Sequence, residues 1–313
     1  MSLLVVLISD LIKTRKNNAK FNYLYLHFVV NGIVDILHNL GFWLGGKFTK
    51  FNEFSDWYDD KLMLRRTAMI ASLPILVSVM IGNLYVVANR FLSLHYIVQY
   101  KNMWKMKIVK ILILIQICLP LITYGHLLVE DTVGKYNPAT DSWIFQMKYI
   151  EFSWINSINL FVYSFLISLF CLIFNTINIY RYLQITKKRK ADKELLRALY
   201  YIIYCIIMTI GIFGILIIAS LRLYAMIVEN SLLRNYASGF LTYTATALTI
   251  SHPYFILLLS PSLRKIFTLY YGLKCCFKSS SSSAIHMSSK GVGIKQNFVQ
   301  HTQQNNANAR QPI

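Results

Sequence analysis

Residues 21–260 alternate long apolar runs with short polar stretches. Phe21–Leu44, Thr67–Leu94, Ile108–Leu128, Phe152–Tyr180, Ala198–Val228 and Tyr236–Ser260 each supply about 20 residues or more, enough for a helix to cross a hydrocarbon core of about 30 Å. A seventh run, Met1–Ile12, reaches only about 18 Å as a helix. It is read as the inner half of a first span that begins before Met1, with a short or interfacial segment as the alternative. A cleaved signal peptide is disfavoured, because no basic stretch precedes the run and no small-residue cleavage site ends it. The expected architecture is an all-α polytopic membrane protein: a seven-transmembrane helix bundle over residues 1–267, its first helix truncated.

Polar residues inside the spans recur at helical spacing. His27, Asn31, Asp35, His38 and Asn39 share one side of the second span, and Ser72, Asn83 and Arg90 share one side of the third. The fifth offers Asn156, Asn159 and Tyr163; the seventh offers Thr242, Thr246, Thr249 and Pro253. Polar groups are costly in lipid, so each seam predicts the face turned into the bundle. Interhelical hydrogen bonds of about 0.6 kcal/mol account for most single Asn, Ser and Thr residues. Asp35 is costlier near mid-membrane unless it is protonated, hydrated or ion-bound, and reads as a candidate switch or cation site as readily as a structural residue. Pro253, in Ser251-His252-Pro253-Tyr254, interrupts the backbone ladder and predicts a kink that can serve as a hinge.

Charge sets the orientation. The chain has 32 Lys+Arg against 13 Asp+Glu, a net charge of +19, although it is 56% hydrophobic and only 14% charged. Soluble domains carry roughly a quarter charged residues, and the mean hydropathy is +0.46. A basic patch for nucleic acid would need its charges on one soluble face, whereas these sit between apolar runs. Lys13–Lys20, Arg90–Lys110, Arg181–Arg197 and the region beyond Ser260 together hold 23 Lys/Arg, while the alternate loops hold eight basic and nine acidic residues. By the positive-inside rule the first set is cytoplasmic, the amino terminus is outside and the tail is inside.

The inner surface carries Lys187-Lys188-Arg189-Lys190 after the fifth span, a patch suited to anionic lipid and also to a cytoplasmic partner. Beyond the last span, Leu263, Ile266, Phe267 and Tyr270 make one apolar stripe beside Arg264 and Lys265, the pattern of a short amphipathic helix in the cytoplasmic interface. Cys275 and Cys276 follow where acylation would pin that helix to the inner leaflet, or are two unmodified thiols. Residues 268–313 otherwise form a Ser/Gln/Asn-rich cytoplasmic tail that cannot bury a core.

Chemistry of other kinds has little foothold. The five cysteines fall in apolar runs or the basic tail, paired C-x-x-C spacings are absent, and the seven histidines form no metal-binding box. No metal or cofactor is expected. The chain also lacks an internal repeat and a Gly-rich phosphate loop, which lowers the case for a repeat-built transporter or a nucleotide-driven pump.

Asn89-Arg90 closes the third span, Tyr100 and Trp104 follow in a short basic loop, and the last span ends Pro253-Tyr254-Phe255 before Ser260-Pro261-Ser262-Leu263-Arg264. In this order and spacing, across Lys13 to Phe267, the chain resembles nematode serpentine chemoreceptors. Phe21-Asn22-Tyr23-Leu24-Tyr25 through Asp35 looks most like the class gamma group or the related class v. The resemblance implies a heptahelical G-protein-coupled receptor of sensory neurons, at the plasma membrane and its cilia. It also implies that Asn89-Arg90 stands at the acidic-Arg-aromatic motif of better-known heptahelical receptors, Pro253-Tyr254 at the inner motif of their last helix, and Asp35 at their second-helix aspartate. Three features depart: Asn89 replaces the acid, His252 replaces the Asn before the proline, and the outer disulfide is missing.

The expected function is therefore a chemoreceptor, not an enzyme, that binds a small chemical ligand among the outer halves of its spans and signals to a heterotrimeric G protein, with membrane lipid as its other partner. Candidate ligand residues are Tyr124, His126, Trp154, Asn156, Asn159, Tyr224 and Tyr243. Aromatics at that depth, Trp154 above all, also serve as interfacial anchors. Candidate coupling and switch residues are Asp35, Asn89, Arg90, Lys187, Lys188, Arg189, Pro253, Tyr254 and Arg264. The alternative is a transporter or channel for a small solute, which would need a polar path between both faces. A membrane enzyme would need clustered catalytic groups, to which His38 and Asp35 are the nearest approach.

Overall fold

The computed structural model describes residues 23–43, 62–96, 100, 105–129, 132–137, 142–188 and 193–259. The short first run, the stripe after Ser260 and the tail lie outside them. Among the described residues six helices follow one another: α1 (Tyr23–Phe42), α2 (Leu62–His95), α3 (Met106–Thr123), α4 (Ile150–Lys188), α5 (Lys193–Ile227) and α6 (Ser231–Leu259). They correspond to the second through seventh expected spans. The stretches Ser72–His95, Met106–Thr123, Ile150–Lys187 and Ala198–Ile227 are long and apolar enough to cross a membrane, and α1 contributes the shorter apolar segment Leu26–Phe42. In lipid every backbone N–H and C=O must be paired within the segment, which is why such runs fold as helices.

Side chains sort opposite to those of a soluble bundle. Apolar Ile111, Leu114 and Ile122 of α3 and Phe165, Leu169 and Leu172 of α4 are exposed on the outer faces, while His27, Asn31, Asp35, His38, Asn83, Asn156 and Thr249 are buried. Thus the α1 seam faces inward along its whole length, as its spacing predicts. Helix α2 is the hub: it packs against α1, α3, α4 and α5. Leu76, Val77, Met80 and Val87 form its buried middle.

Polar side chains stitch the helices together. Gln116 Nε2 of α3 donates to Asn31 Oδ1 of α1 (2.9 Å) and to the Ser78 carbonyl of α2 (3.1 Å). Asn39 of α1 donates to Thr249 of α6 at 3.0 Å. Asn175 of α4 donates to Thr209 of α5 at 2.7 Å, and Thr209 donates to the Cys205 carbonyl at 2.8 Å. Gly82 makes the first junction possible, since a Cβ there would lie 2.5 Å from Asn31 Oδ1 and 2.6 Å from Gln116 Nε2.

Two local features shape the end of the bundle at which α3 and α5 finish. Between α3 and α4 the chain forms a hairpin, β1 (Thr132–Asn137) antiparallel to β2 (Ser142–Met147), with Thr132 opposite Met147 and Asn137 opposite Ser142. Its Val, Tyr, Trp, Ile and Phe residues favour strands. Helix α6 begins at Ser231, five residues before the expected Tyr236, because Asn230 caps it by accepting the Leu233 N–H at 2.9 Å. Glu229 completes this tight α5–α6 turn in the left-handed region, with φ 53°.

Candidate functional site

Helix direction gives the bundle two ends: α3 and α5 run toward the hairpin, and α4 and α6 run away from it toward the basic Arg181–Lys188 stretch. At the hairpin end α3 stops after Pro120, whose carbonyl accepts the Tyr124 N–H at 3.0 Å, and a 3₁₀ turn, Gly125–Leu128, follows. This turn carries His126, whose Nε2 lies 2.9 Å from Asn156 Oδ1 of α4 and whose ring stacks on Phe152 at 5.5 Å. Deeper by about one turn, Thr123 Oγ1 meets Tyr163 Oη at 3.2 Å, and Asn159 donates to the Thr123 carbonyl at 3.4 Å. Ser157 of α4 donates to Met226 Sδ of α5 at 3.1 Å, drawing α5 to the same junction.

Four expected ligand residues, Tyr124, His126, Asn156 and Asn159, are thus gathered into one cluster. Trp154 is half-buried on the first turns of α4. Tyr224 and Tyr243 are not gathered: they are 57% and 64% exposed on the outward sides of α5 and α6.

At the basic end the last turns of α2 present Asn89 and Arg90. Asn89 is buried, and its Oδ1 accepts a 2.7 Å hydrogen bond from the Tyr100 hydroxyl. Burial holds the Tyr100 phenol above its ordinary pKa, against the opposing effects of the Asn89 bond and the Arg90 cation. Tyr100 therefore remains a neutral donor throughout the physiological range. Arg90, which has no acid at position 89, lies over the Tyr201 ring of α5, 5.2 Å from its centroid. A desolvated cation–π contact of this kind contributes up to about 2 kcal/mol. Together these contacts tie α2 both to α5 and to the segment carrying Tyr100.

Lys187 is exposed near the end of α4, whose last residue is Lys188, and Tyr254 is exposed on α6. Pro253 lies within α6. Arg189, Arg264, Cys275 and Cys276 lie outside the described residues.

Asp35 is buried at mid-seam, within electrostatic reach of Tyr204 on α5. Two turns away on the same seam, His27 places Nε2 3.2 Å from the Gly82 carbonyl and its ring 5.7 Å from that of Tyr85. Sequence reasoning passed over Gln116, Gly82, Tyr201 and Arg222. The first three are partners whose roles depend on other helices. Arg222 had a visible signal: of the 32 basic residues, 23 fall on one side and eight on the other, and the one in neither set lies inside the sixth span.

A search of the curated proteins finds no match to this chain. A protein-family model described as Srg family chemoreceptor matches residues 1–267, a region that contains the whole helical bundle, the polar cluster beside the hairpin and the Asn89-Arg90 latch. With a bundle that turns apolar faces outward and polar seams inward, and a match spanning 267 of its 313 residues, the chain belongs to the Srg family of membrane-embedded chemoreceptors.

Proposed function

We propose that this chemoreceptor is G-protein-coupled: a small ligand binds at the hairpin end and favours a form of the bundle whose basic end opens to a heterotrimeric G protein. The observation that carries this reading is the basic-end latch. Asn89 holds Tyr100, and Arg90 rests on Tyr201, so separating α5 from α2 breaks a desolvated cation–π contact, and among the described residues no acid pairs with Arg90. A ligand shifts such a two-state bundle only by its difference in affinity for the two forms. In this reading Tyr124, His126, Asn156 and Asn159, with Trp154 on the same end of α4, line the ligand chamber; Tyr224, three residues from the end of α5, serves as an interfacial anchor.

In this reading the basic end is cytoplasmic, in accord with the positive-inside rule, and the protein resides in the plasma membrane of sensory neurons and their cilia. Lys187, Lys188, Arg189 and Arg264 meet anionic lipid and the G protein, while Asp35 and the Pro253-Tyr254 turn bias the switch. The domain division at residue 267, the interfacial helix and acylation of Cys275 and Cys276 belong to the same proposal.

The test is a G-protein readout in cells expressing the chain, screened against small volatile and water-soluble compounds. Responses should fall in Arg90→Ala and in a variant neutralised at Lys187, Lys188, Arg189 and Lys190, with surface expression unchanged. A response that persists in both variants, and in cells lacking G protein, refutes coupling. Ligand-gated current or solute uptake independent of G protein would identify a channel or transporter instead.

A further inference from the structure

Helix α5 carries an arginine inside a membrane span. Arg222 lies five residues before the end of α5, about 7.5 Å along the axis. An arginine at that depth ordinarily snorkels, with its stem in lipid and its head in water. Here the residue is half-buried, and its Nε atom is fully enclosed with no hydrogen-bond partner. Among the described residues no acidic side chain pairs with it.

The register of α5 aims Arg222 into the bundle. Met226, one turn nearer the hairpin on the same helix face, receives the Ser157 hydroxyl of α4. Arg222 is thus one turn below that junction. Tyr124 follows the last turn of α3: the residue is 1% exposed, and its buried hydroxyl also lacks a hydrogen-bond partner. Arg222 and Tyr124 lie within electrostatic reach of each other, and a second cation, Arg234 of α6, lies within reach of Arg222.

Both unpartnered groups can donate hydrogen bonds. An unmatched guanidinium N–H and an unmatched phenol O–H call for a group that only accepts, carries negative charge and offers several lone pairs. An ionised carboxylate meets all three conditions, and its two oxygens match the guanidinium fork. Leu127 and Phe152, buried and half-buried beside the same cluster, supply apolar surface for the remainder of the molecule.

We infer that Arg222 and Tyr124 form the anion subsite of the ligand chamber, and that the ligand class is a small amphiphile ending in a carboxylate. The inference rests on the receptor reading for the side from which ligand enters. A lipid headgroup offers the same oxyanion chemistry, so the test separates the two sources.

The full chain in phosphatidylcholine nanodiscs is titrated with decanoate and, in parallel, with decanol, and the thermal midpoint is read by tryptophan fluorescence. Decanoate should stabilise at concentrations on the order of tenfold or more below those of decanol. Arg222→Gln should abolish that preference while keeping the decanol response, which shows that the variant is folded. Arg222→Lys should retain part of the preference, and Tyr124→Phe should weaken it.

Equal potency of the two probes in the unmodified protein overturns the inference, because the guanidinium is then already neutralised. It is also overturned if Arg222→Gln keeps the preference, or if phosphatidylglycerol nanodiscs alone give the full stabilisation and decanoate adds nothing. G-protein turnover is not read in this assay. A chain that activates G protein with other compounds but shows no carboxylate preference loses the subsite alone, whereas Arg222-dependent decanoate binding without G-protein turnover supports the subsite and counts only against coupling.

Discussion

Gly82→Ala tests the tightest junction in the bundle. The new methyl carbon would sit 2.5 Å from Asn31 Oδ1 and 2.6 Å from Gln116 Nε2, roughly 1 Å inside an optimal separation of about 3.5 Å. Both atoms are side-chain ends and can retreat, but retreat breaks the hydrogen bonds that Gln116 makes to Asn31 and to the Ser78 carbonyl. Two such bonds in a membrane bundle are worth about 0.6 kcal/mol each, and overpacking adds about 1–3 kcal/mol. The helix preference of Ala over Gly returns about 1 kcal/mol. The net loss is about 1–3 kcal/mol, which at about 2–4 °C per kcal/mol lowers the thermal midpoint by several degrees. The assay is thermal unfolding of the purified full chain in nanodiscs, with Gly239→Ala as control, because nothing lies within 4 Å of a Cβ there. In an Asn31→Ala background, where the nearer obstacle is gone, the penalty of Gly82→Ala should shrink by about 1 kcal/mol. A Gly82→Ala protein as stable as the unmodified chain, or an equal penalty in both backgrounds, refutes the reasoning.

Four further outcomes are expected. Tyr100→Phe removes the hydroxyl that Asn89 accepts and should raise ligand-independent G-protein turnover roughly 2- to 10-fold, for a bond of about 0.5–1.5 kcal/mol; unchanged turnover would show that this bond does not hold the resting form. Because burial raises the Tyr100 pKa, its contribution to stability is full below the ordinary phenol value near 10 and declines as pH rises through the raised one, so alkaline destabilisation should be smaller in Tyr100→Phe than in the unmodified chain. At the α5–α6 turn, Asn230→Ala should cost about 1 kcal/mol through loss of the cap on the Leu233 N–H, whereas Glu229→Gly should stabilise by up to about 1 kcal/mol by relieving the left-handed backbone; thermal midpoints moving the other way would contradict both.

What could be read from the chain follows from what periodicity encodes. His27, Asn31, Asp35 and His38 repeat with the helix, so their shared inward face was visible, and all four are buried. Gln116 is a single polar residue among isoleucines and leucines; one residue has no period, and its partners lie 85 and 38 positions away. Gly82 was silent for the same reason, since its role depends on two side chains reaching in from other helices. For a residue outside such a repeat, depth was legible and azimuth was not. Tyr224 was placed at the ligand level by its position in the span, yet at about 100° per residue two steps turn it to the far side of α5 from Arg222. The ring then faces lipid at 57% exposure, while the guanidinium Nε is buried. Counting cations by loop settles which end is basic and passes over a cation within a helix, where the cost of burying it is largest and the demand for an anionic partner is strongest.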